Sequence, residues 1–504
     1  LRVLISILLF NQLIFSANIL SNCIVAPDTR TFERFQFTFP EHIESEHFIV
    51  HFTTSNADSQ FVNEQWLNLQ CNFGYAQSVI ELAEYALAIF MEADWEMMPP
   101  DCDEGITDEE SPNHCNNFGG NALYDIYLAN DAVGLVAPEN PYPVEPYIGG
   151  FTSFMQVTPL GNEHTFVPDW SVHVIAHELH HAIQIRYGTS VSGEPGNYAY
   201  NGWLYEQTST YMENVIFPAS YHFLVMMGNC NITSPLTYPE ISIDSSVDIY
   251  QYRSALWQKF LVEAYGDSTI NRLIWEGFGL ETATGNPVNM FPIYESALQT
   301  VTDGVTTLGD AYEDYALWRY FTGSRSRPGE FFMQAASYCT ANLLAIEETS
   351  TTFPSEKGGA RLVKLLPYET NLLLASSAYD NLLVQHISFS EEDEILMSSI
   401  EVNGEESFFQ LNNPAGDNHA LLITSEYTAE PGEEIEFTLA NTVPFMEGDI
   451  TGDSMVNVQD IIVQINIILH QIDPTDYQWL AADLDENNVV DVLDVILLVN
   501  LILG

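Results

Sequence analysis

Ser171-Val-His-Val-Ile-Ala-His177-Glu178-Leu-His180-His181-Ala-Ile-Gln-Ile-Arg186 reads as a helix over 172–186 with Ser171 placed to cap it, and it carries two histidines four positions apart. Residues i and i+4 of an α-helix lie one above the other, so the imidazoles of His177 and His181 leave the same face. Glu178 follows the first histidine directly, which sets its carboxylate beside that face and not on it. Two imidazoles in this arrangement suit zinc, and the acid is placed to take a proton from a water on the metal. Zinc brings the pKa of such a water to about 7 and polarises a scissile carbonyl, after which the acid relays the proton to the leaving amine.

A hydrolytic zinc site takes three protein ligands and keeps one position open. The third is sought downstream in Trp203-Leu-Tyr-Glu206-Gln-Thr-Ser-Thr-Tyr-Met-Glu213, a second helix whose acids at 206 and 213 share a face. Gly188, Gly193, Pro195 and Gly196 make a loop long enough to return this helix antiparallel across the first, and Glu206 is the preferred ligand. His173 also stands four before His177, but Val174 follows it, so that pair lacks an acid and His173 reads as core or supporting. His180 is off the ligand face and reads as a surface or hydrogen-bonding residue. A donor to the developing oxyanion is also needed. Tyr250, Tyr252 and His222 are candidates; Tyr252 is carried forward as catalytic, with a core role equally open.

The pair HELHH at 177–181 and WLYEQTSTYMEN at 203–214 resembles the gluzincin pattern, above all the WLNEGxAxxxE second helix of gluzincin aminopeptidases. The resemblance implies Glu206 as zinc ligand and Glu213 as a supporting acid. The tyrosines ahead of Ser254-Ala-Leu-Trp257 are similar in position to a catalytic tyrosine of those enzymes. From about 46 to 350, the order of strand, helix, Tyr124-Asp-Ile-Tyr127 strand, HELHH-Ala-Ile-Gln helix and Trp-x-x-Glu helix resembles a group of secreted bacterial metalloproteases, which often carry C-terminal β-domains and docking tails. Two positions depart from the pattern. Gln207 stands where glycine usually follows the ligand, and Thr210 stands where thermolysin-like enzymes carry an acid supporting the first histidine.

The tail holds an internal repeat. Asp449, Thr451, Asp453, Asn457 and Asp460 offer oxygens at loop positions 1, 3, 5, 9 and 12, and the Met455 carbonyl fills position 7. Asp483, Asp485, Asn487, Asp491 and Asp494 repeat the pattern with the Val489 carbonyl, and apolar helices over 461–469 and 495–503 follow the two loops. With Asp in place of the EF-hand Glu at position 12 and one helix per loop, the tail resembles a type I dockerin domain. That resemblance implies two Ca2+ ions and a cohesin-type partner on a scaffold or cell surface. Thr451 departs from the acid expected at position 3, and Val458-Gln459 and Val492-Leu493 make positions 10 and 11 unusually apolar.

Around these motifs the chain has 504 residues, 46% hydrophobic, with 70 acidic against 13 basic residues and a formal charge of −57. Such a surface repels nucleic acid and anionic membranes. Arg2, the mostly apolar run 3–15 and the small residues Ser16 and Ala17 read as a signal peptide over 1–17, and no other run is long enough to span a bilayer. Six cysteines in an oxidising compartment suggest disulfides, with Cys102 and Cys115 bracketing an acidic loop. Strands are expected at 47–53, 123–128 and 149–157, and helices at 75–91, 252–265 and 311–321. The expected organisation is a leader over 24–45, an α+β zincin-like catalytic domain over 46–350, a small all-β sandwich over 355–443 and a small α dockerin over 446–504. The functional expectation is a secreted, zinc-dependent peptidase acting on protein or peptide and attached through its calcium-dependent tail. The competing expectation is a catalytically inactive protease fold serving as a surface adhesin or scaffold component.

Overall fold

The computed structural model describes residues 34–62, 65–102, 114–129, 134–159, 170–189, 198–218, 221–282, 288–345, 351–356, 358–365, 371–376, 382–389, 395–401, 407–410, 418–425, 434–441, 446–453, 455–472, 474, 476–485, 487 and 489–503. The expected signal peptide, the first part of the leader, the acidic loop 103–113 and the side chain of Ser171 lie outside them. The chain divides into two compact units. The first comprises Leu1–Asn342, Glu356–Ala360 and Thr424–Glu433, and the second the remainder.

The first unit pairs a mixed five-stranded sheet with a helical region. Its strands are β1 (Glu41–Glu44), β2 (Phe48–Phe52), β5 (Tyr124–Leu128), β6 (Gly134–Pro141) and β7 (Phe151–Val157), in the order β1-β2-β5-β7-β6; a separate hairpin joins β3 (Ser59–Val62) to β4 (Gln65–Asn68). The three central strands are parallel, and antiparallel β1 and β6 flank them. Parallel strands are covered on both faces and read as apolar runs. Phe48, Ile49, Val50 and Phe52 on β2, and Tyr124, Ile126, Tyr127 and Leu128 on β5, are accordingly buried. The connection from β2 to β5 carries α1 (Phe73–Glu92), capped by the Asn72 side chain accepting from the Tyr75 N–H, with Ala76, Val79, Ala83, Ala86, Leu87 and Phe90 buried at the expected spacing.

The described part of the expected leader packs on the sheet. The segment 34–44, assigned from the sequence to a leader, supplies an edge strand paired with β2 and the buried guanidinium of Arg34. Arg34 bonds to Asp101 (2.8 Å), Asp125 (2.5 Å) and both oxygens of Glu139 (2.9 and 2.7 Å), while His51 hydrogen-bonds the second Asp125 oxygen. The described part of this segment is therefore tied to the sheet by edge-strand pairing and by the buried Arg34 side chain. The β6 strand was not among the expected strands, and its Pro138 and Pro141 are residues that argue against a strand. It lies at the sheet edge, where a missing N–H is tolerated, and its pairing with β7 is irregular between the two prolines.

The helices that follow are α2 (Trp170–Tyr187), α3 (Tyr198–Ile216), α4 (Tyr221–Gly228), α5 (Tyr250–Arg253), α6 (Ala255–Tyr265), α7 (Ile270–Thr282), α8 (Met290–Val301) and α9 (Leu308–Tyr320). The single helix expected over 252–265 breaks at Ser254, and its start is turned by left-handed backbone at Asp248 and Ile249 (φ 48° and 58°). A capping box between Thr307 and Asp310 starts α9. Disulfides join Cys102 to Cys115 and Cys230 to Cys339. No helix among the described residues is long and apolar enough to cross a membrane.

The second unit contains two sheets and the repeated tail. Strands β8 (Leu344–Ala345), β9 (Thr351–Glu356), β10 (Ala360–Lys364), β11 (Asn371–Ser376), β12 (Leu382–Phe389), β13 (Leu396–Glu401), β14 (Ser407–Gln410), β15 (Asn418–Ser425) and β16 (Glu434–Asn441) form a five-stranded sheet in the order β13-β12-β15-β10-β8 and an antiparallel four-stranded sheet in the order β14-β11-β16-β9. Val384, Ile387, Leu362, Val363 and Ala420–Ile423 are buried in the former. The tail carries α10 (Val458–Ile468), α11 (Asp476–Ala482) and α12 (Val492–Leu503) around Ile450, Ile467, Ala481, Ala482 and Leu498. The short α11 was not expected. The two longer helices start inside the loops, so that Asp460 and Asp494 fall in their first turns.

Candidate metal centre

Helices α2 and α3 pack antiparallel, with His181 opposite Glu206 and His173 opposite Glu213. Gln184 fastens the pair by donating to the Tyr205 carbonyl (3.0 Å), and the Tyr205 hydroxyl donates to the Gly188 carbonyl (2.7 Å). His177, His181 and Glu206 are all buried, and one ligand atom from each lies within 4.8 Å of the others. The Glu206 Oε2 atom is 3.0 Å from His177 Nε2 and 3.3 Å from His181 Nε2. Tetrahedral zinc with bonds near 2.0–2.1 Å sets neighbouring ligand atoms about 3.3 Å apart, so the spacing fits the ion.

The opposite ring nitrogens are already committed. His177 Nδ1 donates to Glu213 Oε1 (2.8 Å), and His181 Nδ1 lies 2.7 Å from Gln184 Oε1 and 3.1 Å from Ser209 Oγ. With each Nδ1 carrying the proton it donates to these acceptors, both Nε2 lone pairs face Glu206, the tautomer a metal ligand requires. His181 Nε2 is buried with no hydrogen bond, a further sign that the donor set suits a cation.

The electrostatics agree. Burial alone pushes the Glu206 carboxyl up, but the His181 and His177 imidazoles outweigh it and hold the group at about 2. Glu213 is likewise held well below the usual carboxylate range, burial being overcome by His222 and His177. Burial is the main cause that lowers His181, with Glu206 opposing, so the imidazole is kept in its neutral, ligating form.

The other sequence candidates separate clearly. Glu178, next to His177 in sequence, is buried and seated against β6: a Cβ on Gly134 would fall 2.2 Å from Glu178 Cγ, so only glycine leaves room for that side chain. The Tyr252 ring stacks on His177 with centroids 6.0 Å apart, whereas Tyr250 turns away and donates to the Ile241 carbonyl (3.3 Å). His222 is tied to Glu213 Oε2 through Nδ1 (2.7 Å). His180 is not a surface residue; it is buried between Phe90 and Trp95 and hydrogen-bonds Ser209 and Gln184. Burial keeps its pKa well below the ordinary histidine value.

Both departures from the gluzincin pattern have local causes. Gln207 donates to the Ile243 carbonyl (3.1 Å) and Ser254 Oγ (2.8 Å) and accepts from Gln258, fastening α3 to α6 where a glycine would leave a gap. Thr210 is buried and its hydroxyl makes no hydrogen bond, and the acid that bonds His177 Nδ1 stands about one turn later, at Glu213.

Residues 165–292 match the model of a family of unknown function (DUF6055). The matched stretch contains α2, α3 and α4 together with Tyr252, and hence His173, His177, Glu178, His180, His181, Glu206, Glu213 and His222. No curated protein matches the chain.

In the tail, Asp483, Asp485 and Asp494 bring ligand oxygens within 4.8 Å of one another. Asp494 Oδ1 accepts from the Leu484 and Asp485 N–H groups and Oδ2 from Asp491 N–H, while Asp483 Oδ1 accepts from Asn487 N–H. The first loop folds alike, with Asp460 accepting from Thr451 and Asn457 and Asp449 from Gly452 and Asp453. Its Thr451 hydroxyl donates to Asp460 (2.8 Å), so position 3 uses a carboxylate oxygen where the second loop adds one. The Met455 and Val489 side chains are exposed, leaving only their carbonyls as candidate donors.

Proposed function

We propose that the first unit is a zinc-dependent peptidase that cleaves protein or peptide bonds, with His177, His181 and Glu206 as ligands and Glu178 as general base. The observation that carries this reading is the convergence of two histidine Nε2 atoms on one Glu206 oxygen, with a buried acid one residue along the helix from His177. A zinc ion held there supplies Lewis-acid polarisation of the scissile carbonyl and acidifies a water. Glu178 takes the proton and delivers it to the leaving amine. Glu213 and Gln184 fix the imidazole tautomers, and Tyr252, stacked on His177, is the candidate hydroxyl donor to the oxyanion. Strand β6 ends the sheet over the start of which Glu178 rests, and its outer edge offers backbone groups to which an extended peptide can add as a further strand.

Metal removal tests the reading. Treatment with a zinc chelator is expected to abolish casein hydrolysis, and stoichiometric zinc to restore it; full activity in metal-free protein would exclude the mechanism. A second expectation follows from the Glu178 seat. Gly134→Val is expected to lower turnover by at least about tenfold through displacement of the base while zinc content is unchanged, and a variant as active as wild type would show that Glu178 acts from elsewhere. The inactive-adhesin alternative predicts no hydrolysis with zinc fully loaded.

For the second unit we infer a calcium-dependent docking tail with a cohesin-type partner, the second loop being the stronger site because it gathers three carboxylates. Asp494→Ala in the full chain is expected to remove one calcium equivalent by equilibrium dialysis; unchanged calcium binding would overturn the assignment. Two disulfides and the acidic surface support secretion, with attachment through the tail.

A further inference from the structure

The α2–α3 seam repeats itself. Histidines recur on α2 at 173, 177 and 181, all on one face, and acids recur on α3 at 206 and 213, two turns apart. The lower end of the seam is used by His177, His181 and Glu206. At the upper end Glu213 meets His173 from α2 and His222 from α4. One ligand atom from each of these three side chains lies within 4.8 Å of the others. His222 Nδ1 is 2.7 Å and His173 Nδ1 3.6 Å from Glu213 Oε2, and the two rings are tilted by 45° with centroids 5.3 Å apart. These distances straddle the separation of about 3.3 Å between ligands of a tetrahedral ion.

We propose that His173, Glu213 and His222 form a second site for a zinc-class divalent cation, distinct from the group at His177 and His181. Two imidazoles and a carboxylate suit borderline cations such as zinc better than calcium, which takes oxygen ligands. The division of Glu213 makes the second site compatible with the first. Its Oε1 accepts from His177 Nδ1 (2.8 Å), while Oε2 faces His173 and His222. One carboxylate thus orients a ligand of the first site and ligates at the second. His222 retains 15% side-chain exposure, which leaves a path for the ion and for water to complete its coordination. The ion would pin the eight-residue α4 to the α2–α3 pair.

Zinc stoichiometry of the full chain tests this, in excess calcium so that the tail oxygens are filled. Protein stripped of metal, reloaded with zinc and gel-filtered is expected to retain two equivalents. The double variant His173→Asn with His222→Asn is expected to retain one, and so is His181→Asn. Asparagine keeps an N–H near the position of Nδ1, so Glu213 retains donors, and matching circular dichroism of the metal-free forms confirms that each variant folds. One equivalent in the wild type, kept by the double variant, would overturn the proposal and leave these residues as hydrogen-bonded support for His177. One equivalent lost from the double variant but kept by His181→Asn would uphold the second site and refute zinc at the first.

Discussion

Glu178→Gln is expected to lower turnover of a casein or peptide substrate by about 10²–10⁴-fold with zinc content unchanged. The substitution is nearly isosteric, so it keeps the packing against Gly134 that fixes the side chain, yet the amide cannot accept the proton. Removing a group that acts in the transition state lowers kcat while leaving KM close to the wild-type value. Glu206→Gln makes the contrasting case. It replaces the charged oxygen facing both Nε2 atoms, so its loss of activity is expected to follow loss of zinc and to be partly restored at high zinc concentration. Added zinc should not rescue Glu178→Gln. If Glu178→Gln turned over substrate at the wild-type rate, the general-base role would fall; if it lost zinc as well, the residue would belong to the ligand set instead.

The grouping of His177, His181 and Glu206 was legible because it is written in helical spacing: residues four and seven apart on two helices must share faces whatever the rest of the chain does. What supports the ligands was less so. Glu213 was indicated as a supporting acid by the gluzincin resemblance and not by spacing, because the helix crossing sets which turn of α3 lies opposite His177, and no spacing within one helix reveals a crossing. Gln184 and Ser209, which hold His181 and His180, are on facing helices and are ordinary polar residues in sequence. Gly134 against Glu178 is a contact between a strand and a helix more than forty residues apart. The β6 strand itself was not among the expected strands, and the meaning of its prolines changes once the strand is known to be an edge. In the tail, the twofold repeat disclosed the loops, while the short α11 between them has no counterpart in the repeat.

Arg34→Met is expected to destabilise the first unit by about 3–5 kcal/mol, the cost of breaking a buried ion cluster by removing one partner. Asp101 and Asp125 have fully buried side chains, and the guanidinium contacts both as well as Glu139. Burial raises both aspartates above the ordinary carboxylate range even with Arg34 in place, and for Asp101 the neighbouring Asp125 adds to the shift. An acid whose pKa is raised by folding stabilises the fold fully below its unfolded value, near 4, and that contribution is lost as pH rises through the folded value. The wild-type unit is therefore expected to melt at lower temperature as pH rises from 5 to 9. Without Arg34 the carboxylates lose their counter-charge and take up protons more readily, so the variant's deficit should shrink toward pH 5 and widen toward pH 9. Hydrogen exchange of the β2 and β5 amides across that range reads the effect within this unit alone. A variant as stable as wild type at pH 9 would show that residues 34–44 lean on the sheet without holding it, and the segment would then revert to the detachable leader that its position in the sequence suggested.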